Sequence, residues 1–221
     1  MNNKIIGVIA SSGGSIIFEL LPFLKKNKID LMVVTDRPCA IESKCVEEKI
    51  NFIRIVHKDR EVFSSAARSF FKENNVIDLV LLFFTRLIGK EIYNNFLTFN
   101  IHPSFLPLFP GLGPIKKCLN SGVKLLGASV HRVNESLDGG PILAQIVNSF
   151  TLEKIDFISF MQKVYLTLAV IDAYIFHPDK LVNEVVMTTH YMNASFKLSH
   201  AAELFFKDIE LKYATKILGI N

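Results

Sequence analysis

Short strand-like runs at Lys4–Ala10, Leu31–Thr35, Asn51–Val56 and Asp78–Phe84 recur along the N-terminal part of the chain, each followed by a segment with helical spacing. The first and last of these runs are continuously apolar, as strands buried on both faces are. The intervening helices are expected at Ile16–Lys26, Ala40–Glu48 and Glu61–Asn74, with a short one near Ile88–Asn94 before a strand that ends at Asn100. Strands that alternate with helices at this spacing have few ways to bury their apolar faces. They form a parallel sheet flanked by helices. Ligands of such sheets collect at the carboxyl ends of the strands, where the segments Ser11–Ser15 and Asn100–His102 both fall.

From Lys124 the pattern changes. Two β-rich runs, Leu126–Val133 and Ile142–Phe150, are joined by a loop and read as antiparallel additions. Asp156–His177 repeats Ile158, Met161, Val164, Tyr165 and Leu168 at helical spacing and ends before Pro178. Beyond it lie β-like segments at Val185–His190 and Ser195–Leu198 and a final helix over Ala201–Ile217. The expected fold class is α/β: a single helix-flanked, mostly parallel sheet with antiparallel strands and a C-terminal extension. Residues 1–178 are expected to form the main domain and residues 179–221 an extension packed on it.

Composition narrows the partners. Half of the 221 residues are apolar, enough for a large core. The net charge of +4 is spread along the chain without a dense basic run, so no nucleic-acid partner is expected. Cys39, Cys45 and Cys118 fit no zinc or redox spacing and read as free thiols, and no metal is expected. The N-terminus lacks a signal-peptide pattern and no apolar run approaches a membrane span. A cytoplasmic monomer or homodimer with no membrane partner is the expectation.

Chemistry concentrates between Leu97 and Gln145. Asn100 and His102 sit two apart on a strand, so they share a face where the strand stops at Pro103. Pro107, Pro110 and Gly111 force an irregular loop over that end. Asp138 precedes Gly139-Gly140-Pro141 in the loop between the two later strands. Taken singly, each residue has an ordinary structural explanation: a cap, a satisfied imidazole, a turn. Jointly they place an amide, an imidazole and a carboxylate at strand edges. A carboxylate beside a histidine favours the imidazolium, and an amide N–H₂ can donate to an oxyanion.

The runs NIHPSFLPLFPG, from Asn100, and GASVHRVNESLDGGPILAQ, from Gly127, resemble the catalytic region of the folate-dependent formyltransferases, most closely the purine-pathway members that act on glycinamide ribonucleotide. The likeness extends over about residues 4–178 and is best from Arg86 to Gln145. It implies a Rossmann-like formyltransferase fold and a catalytic trio of Asn100, His102 and Asp138. It also implies a folate pocket drawn from Arg60, the segment Thr85, Arg86, Leu87 and Ile88, and Asn134 with Gly139. Acceptor contacts are implied at Gly14, Ser15 and Lys163. The co-substrate implied is 10-formyltetrahydrofolate, with a small-molecule amine as the other partner.

The departures lie on the acceptor side. Ile16 stands where the family's phosphate loop carries Asn, and Leu166 where the long helix presents a Glu to the substrate amine. Gly111-Leu112-Gly113-Pro114-Ile115 replaces the purine enzymes' Gly-Leu-His-Thr-His and looks like the methionyl-tRNA and sugar-nucleotide formyltransferases, which however carry an Arg where Pro110 stands. The expected function is formyl transfer to a primary amine of a small phosphorylated acceptor resembling glycinamide ribonucleotide. Three alternatives stand beside it: a sugar-nucleotide amine as acceptor, hydrolysis of the formylfolate, and a catalytically idle folate-binding relative.

Overall fold

Strand β1 (Lys4–Ala10) sorts its side chains by parity: Ile6, Val8 and Ala10 enter one core, while Ile5 and Ile9 pack in another on the opposite face. In the computed structural model, which describes residues 3–76, 78–182 and 198–218, this strand lies near the middle of a seven-stranded sheet ordered β3-β2-β1-β4-β5-β6-β7. The other strands are β2 (Ile29–Thr35), β3 (Asn51–Arg54), β4 (Leu79–Phe83), β5 (Leu97–His102), β6 (Leu125–Arg132) and β7 (Ile142–Ser149). The strands β3 to β5 of that order run parallel; β6 and β7 are antiparallel additions. The α/β, mostly parallel architecture read from the alternation is the one observed.

Helices follow the expected spacing in the N-terminal part with one break, and a further helix over Pro114–Asn120, not expected from the sequence, follows the Gly111 loop. The segment Ile16–Lys26 is not one helix but two, α1 (Ser15–Glu19) and α2 (Leu21–Lys26). Pro22 sits in the first turn of α2 and has no N–H to continue the ladder from α1. Then come α3 (Ala40–Glu48), α4 (Arg60–Glu73), α5 (Lys90–Tyr93), α6 (Pro114–Asn120), α7 (Ile155–Phe176), α8 (Asp179–Val182) and α9 (His200–Leu218). Asp59 caps α4, its carboxylate accepting the N–H groups of Glu61 and Val62. The β-like segments expected at Val185–His190 and Ser195–Leu198 lie outside the described residues, apart from Leu198.

Helices α1, α2, α7 and α9 contribute to the larger core and α4 and α5 to the smaller one. The 22-residue α7 also corrects an expectation. With the turn before it, Leu152–Phe176 is long and apolar enough to cross a membrane by length and composition, yet 78% of its most apolar window is buried inside the protein. Its apolar residues are spent on β5, β6, β7, α1 and α9.

Asp172, fully buried on α7, is what ties α9 down from its N-terminal end. Its carboxylate accepts the Ser199 N–H at 2.7 Å and the Ser199 hydroxyl at 2.6 Å. At the other end, Lys212 and Tyr213 reach Glu19 of α1 at 2.5 and 2.9 Å. Hydrogen bonds to a charged group of this kind contribute about 1.5–3 kcal/mol. Asp172→Ala is therefore expected to lower unfolding free energy by about that amount, read from urea melts. A change under about 0.5 kcal/mol, the size of an ordinary surface substitution, would show that the anchor is dispensable.

Candidate active site

The reversal of strand direction at β6 assembles the polar cluster. β5 and β6 pair antiparallel with Asn100 opposite His131 and His102 opposite Ser129. Directly opposite residues share a face and so do residues two apart, so four polar side chains converge on one patch at the carboxyl edge of the sheet. A register shift between β6 and β7 at Val130/His131 falls beside this patch, the kind of irregularity that re-aims a side chain. The loop after β6 then returns Asp138 over it. Asp138 has φ 50°, a left-handed conformation that Asp tolerates better than most residues. Gly140 has to be glycine, because a Cβ there would lie 1.8 Å from the Arg132 carbonyl oxygen.

Asp138 is the hub. Its Oδ2 accepts the Gly111 N–H at 2.8 Å and lies 3.4 Å from His102 Nδ1. Its Oδ1 accepts from Asn100 Nδ2 at 3.3 Å and lies 3.5 Å from His131 Nε2. The outer nitrogens of both rings face carbonyls: His102 Nε2 is 3.1 Å from Phe109 O, and His131 Nδ1 is 3.2 Å from Arg132 O. Asn100 Nδ2 is also 3.2 Å from His131 Nε2. Burial pushes the Asp138 carboxyl up. The His131 hydrogen bond, the Gly111 N–H and the charges of the two histidines outweigh it and bring the pKa down to about 2.

Beside this cluster opens a cavity of about 300 Å³. Arg60, Thr85, Arg86, Leu87, Ile88 and Asn134 line it, as expected, together with Asn100, His102 and Asp138. Gly139 does not line it; its N–H turns back to the Ser136 carbonyl at 3.5 Å, which closes the Asp138 turn. Gly14, Ser15 and Lys163 do not line it either: Gly14 caps α1, Ser15 begins it, and Lys163 lies in α7. Gly14 is required where it stands: φ is 66° and a Cβ would meet Ile41 at 2.7 Å. Lys163 is largely desolvated, which pulls its pKa down against the opposing charge of Asp156. Leu166 is completely buried in the larger core and Ile16 nearly so. Neither side chain offers a polar contact.

Sequence reasoning passed over His131 and the residues that hold the loop above His102. The Ser129–Val130–His131 alternation carried the signal, but the cross-strand register that makes it meaningful is visible only in the sheet. Ser129 Oγ donates to Ser104 O at 2.7 Å and accepts the Leu106 N–H at 2.9 Å. Gln145 Nε2 donates to Leu106 O at 2.7 Å and to Ser129 Oγ at 2.9 Å. This buried network pins the segment whose Phe109 carbonyl faces His102.

Residues 4–154 match the formyl transferase family. The chain belongs to that family. It is 31% identical over 154 residues to phosphoribosylglycinamide formyltransferase of Bacillus subtilis (strain 168), covering 64% of this chain and 77% of that protein. The crystal structure of phosphoribosylglycinamide formyltransferase from Campylobacter jejuni superposes with TM-score 0.70 at 27% identity, covering 77% of this chain and 97% of that one. A shorter stretch of 80 residues is 40% identical to formyltetrahydrofolate deformylase 2, mitochondrial, of Arabidopsis thaliana, covering 36% of this chain and 22% of that protein.

The depressed Asp138 pKa has a stability consequence. A carboxyl whose folded pKa lies below its unfolded value of about 3.9 stabilises the protein above that value, and loses the contribution as pH falls through the folded pKa. With a folded value of about 2, the contribution is on the order of 2 kcal/mol at neutral pH. Asp138→Asn is therefore expected to be the less stable protein at neutral pH, with the gap narrowing between about pH 4 and pH 2. Urea unfolding across a pH series measures this. A gap that stays constant down to acid pH would mean that the carboxylate's charge is not what its neighbours hold.

Proposed function

We propose that this protein transfers a formyl group from 10-formyltetrahydrofolate to a primary amine on a small phosphorylated acceptor of the glycinamide ribonucleotide type. The observation that carries the reading is the convergence of Asn100, His102 and Asp138 at the wall of a cavity lined by Arg86–Ile88 and Asn134. The likeness to phosphoribosylglycinamide formyltransferases supports it. Amine, imidazole and carboxylate chemistry of this kind requires no metal.

In this reading the neutral acceptor amine attacks the formyl carbon, and a new C–N bond forms. The bond from that carbon to the donor nitrogen then breaks, and one proton passes from the acceptor nitrogen to the departing one. His102 and the Asn100 amide meet the oxyanion as it develops. In the resting arrangement His102 Nε2 faces Phe109 O, and Asn100 Nδ2 faces Asp138 and His131. The substrate oxygen therefore takes over donors already held in place, which keeps the reorganisation cost low. Asp138 stays ionised throughout the working pH range, stabilises charge on His102, and moves the proton through water.

A second reading, hydrolysis of the formyl donor, draws on the deformylase likeness and on the acceptor side, where fully buried Leu166 offers no acidic grip for an amine. Incubation with 10-formyltetrahydrofolate, with and without a panel of amines, separates the two. Transfer gives acceptor-dependent tetrahydrofolate release and a formylated product by mass; release without any acceptor gives hydrolysis.

Asn100→Ala is expected to lower kcat by about 10²–10³, the usual cost of losing an oxyanion donor, and His102→Ala by at least as much. Binding of 5-formyltetrahydrofolate should change little in either. The two losses should not add, because both groups serve one transition state. Variants within a few-fold of the parent would remove the trio from the chemistry. Glycinamide ribonucleotide itself should be a poor acceptor, with kcat/KM below about 10⁵ M⁻¹s⁻¹, within the lower range for enzymes. A higher value would show that Ile16 and Leu166 do not limit the acceptor.

A further inference from the structure

A second cavity, of about 270 Å³, is bounded by the loop that leaves β5, and among the described residues it shares none of its lining with the cavity beside Asp138. Phe105, Leu108, Phe109, Val123, Leu125 and Val147 stand in its wall. No charged side chain lines it among the described residues, and its two polar side chains are already spent. Ser104 Oγ donates to Leu108 O at 2.7 Å and reaches Phe109 O at 3.2 Å, and Cys118 Sγ donates to Leu125 O at 3.3 Å. Burial pushes the Cys118 thiol up, so it stays neutral. The loop cannot settle further onto β6 to fill the space, because a Cβ on Gly127 would already meet Phe105 Cβ at 2.6 Å. Leu108 and Leu125, 51% and 52% exposed, mark the mouth.

A wall with no charge and no spare polar side chain selects a neutral apolar guest, since a buried charge or unpaired polar group would find no partner there. Dry cavities of about 150 Å³ lined by such side chains take up benzene, so this one has room for one or two rings. Phe109 connects the cavity to the Asp138 cluster. It lines the cavity, its φ is 56°, and its carbonyl oxygen faces His102 Nε2 at 3.1 Å. A left-handed conformation at a bulky residue persists only where the surroundings hold it, and a guest packed against Phe109 adds to that hold. If the cluster is catalytic, His102 Nε2 has to leave this carbonyl to meet the oxyanion. Resting on that reading, we propose that the cavity takes a neutral aromatic molecule of one or two rings, which holds the Phe109 carbonyl on His102 and withholds the imidazole from the reaction.

The test is NMR on the full chain, labelled at its Leu and Val methyl groups and its His rings, with toluene as the guest and benzoate as its charged counterpart. Toluene should shift the methyl signals of Leu108, Val123, Leu125 and Val147 with a Kd on the order of 0.1–1 mM, as a well-fitted ligand of this size implies. Benzoate should leave them in place. The His102 ring signals should move with the same Kd. Saturating toluene should lower kcat on the formyl donor about five- to twenty-fold, an ordinary size for coupling between two sites, with the donor KM unchanged. Val147→Phe fills the cavity and should abolish these effects while keeping the basal activity. Val123→Phe, at a position 37% exposed beside the mouth, should do the same where the first variant fails to fold. Absent methyl shifts, equal binding of benzoate, or shifts without any change at His102 would overturn the proposal. So would the same shifts on raising protein concentration alone, with a dimer in sedimentation, since a second copy would then be the occupant. Toluene that binds and moves His102 in a protein without turnover would uphold the proposal's cavity and overturn the catalytic reading instead.

Discussion

A single carboxylate organises the cluster. Asp138 is within reach of Asn100, His102, His131 and the Gly111 N–H, and each of these contacts constrains a different part of the chain. Asn100 and His102 come from β5, His131 from β6, and Gly111 from the loop that leaves β5. The charge therefore does more than titrate its neighbours. It draws two strands and two loops to one point, and it offsets its own burial by collecting donors on both oxygens. A buried carboxylate without those donors would lose its proton less readily and leave its neighbours unpaired. The glycines and the left-handed turn around Asp138 follow from this: the loop has to bring one oxygen to each of two strands within a short return.

The reversal of sheet direction is the second constraint. Because β6 runs the other way, its interior residues Ser129 and His131 lie opposite His102 and Asn100. One of them joins the charged cluster, and the other begins the network through Gln145 that holds the Ser104–Leu106 segment. The antiparallel strands thus supply both chemistry and support, and the parallel half supplies the cavity wall through β4 and α4.

Much of this was legible in the sequence because short-range physics dictates it. The parity of Ile6, Val8 and Ile9 announces a strand buried on both faces, and Asn100 with His102 announces a shared face without knowledge of any partner. What could not be read depends on register or on three-dimensional neighbours. His131 matters because it pairs with Asn100, and the pairing is fixed by the loop that carries Asp138. The break at Leu20 is not legible in the sequence, because the apolar spacing continues through Pro22 even though the hydrogen-bond ladder does not. The long helix α7 passed as an ordinary amphipathic element, yet it is apolar nearly all round because α9 covers a face that would otherwise meet water.

The same cover bears on the acceptor. On the proposed reading the amine has to be neutral to attack, and a carboxylate in its path would favour the ammonium form. On that reading Leu166, wholly within the core, supplies no such carboxylate, and Lys163 is itself desolvated enough for its pKa to fall. An acceptor side with this balance loses grip on a charged amine but lowers the cost of presenting an uncharged one. On the same reading, affinity comes from the rest of the acceptor. The cavity beside Asp138, by contrast, has its polar groups already aimed at one point. On the proposed reading, recognition of the donor rests on preformed geometry, and recognition of the acceptor is left to contacts distant from the reacting nitrogen.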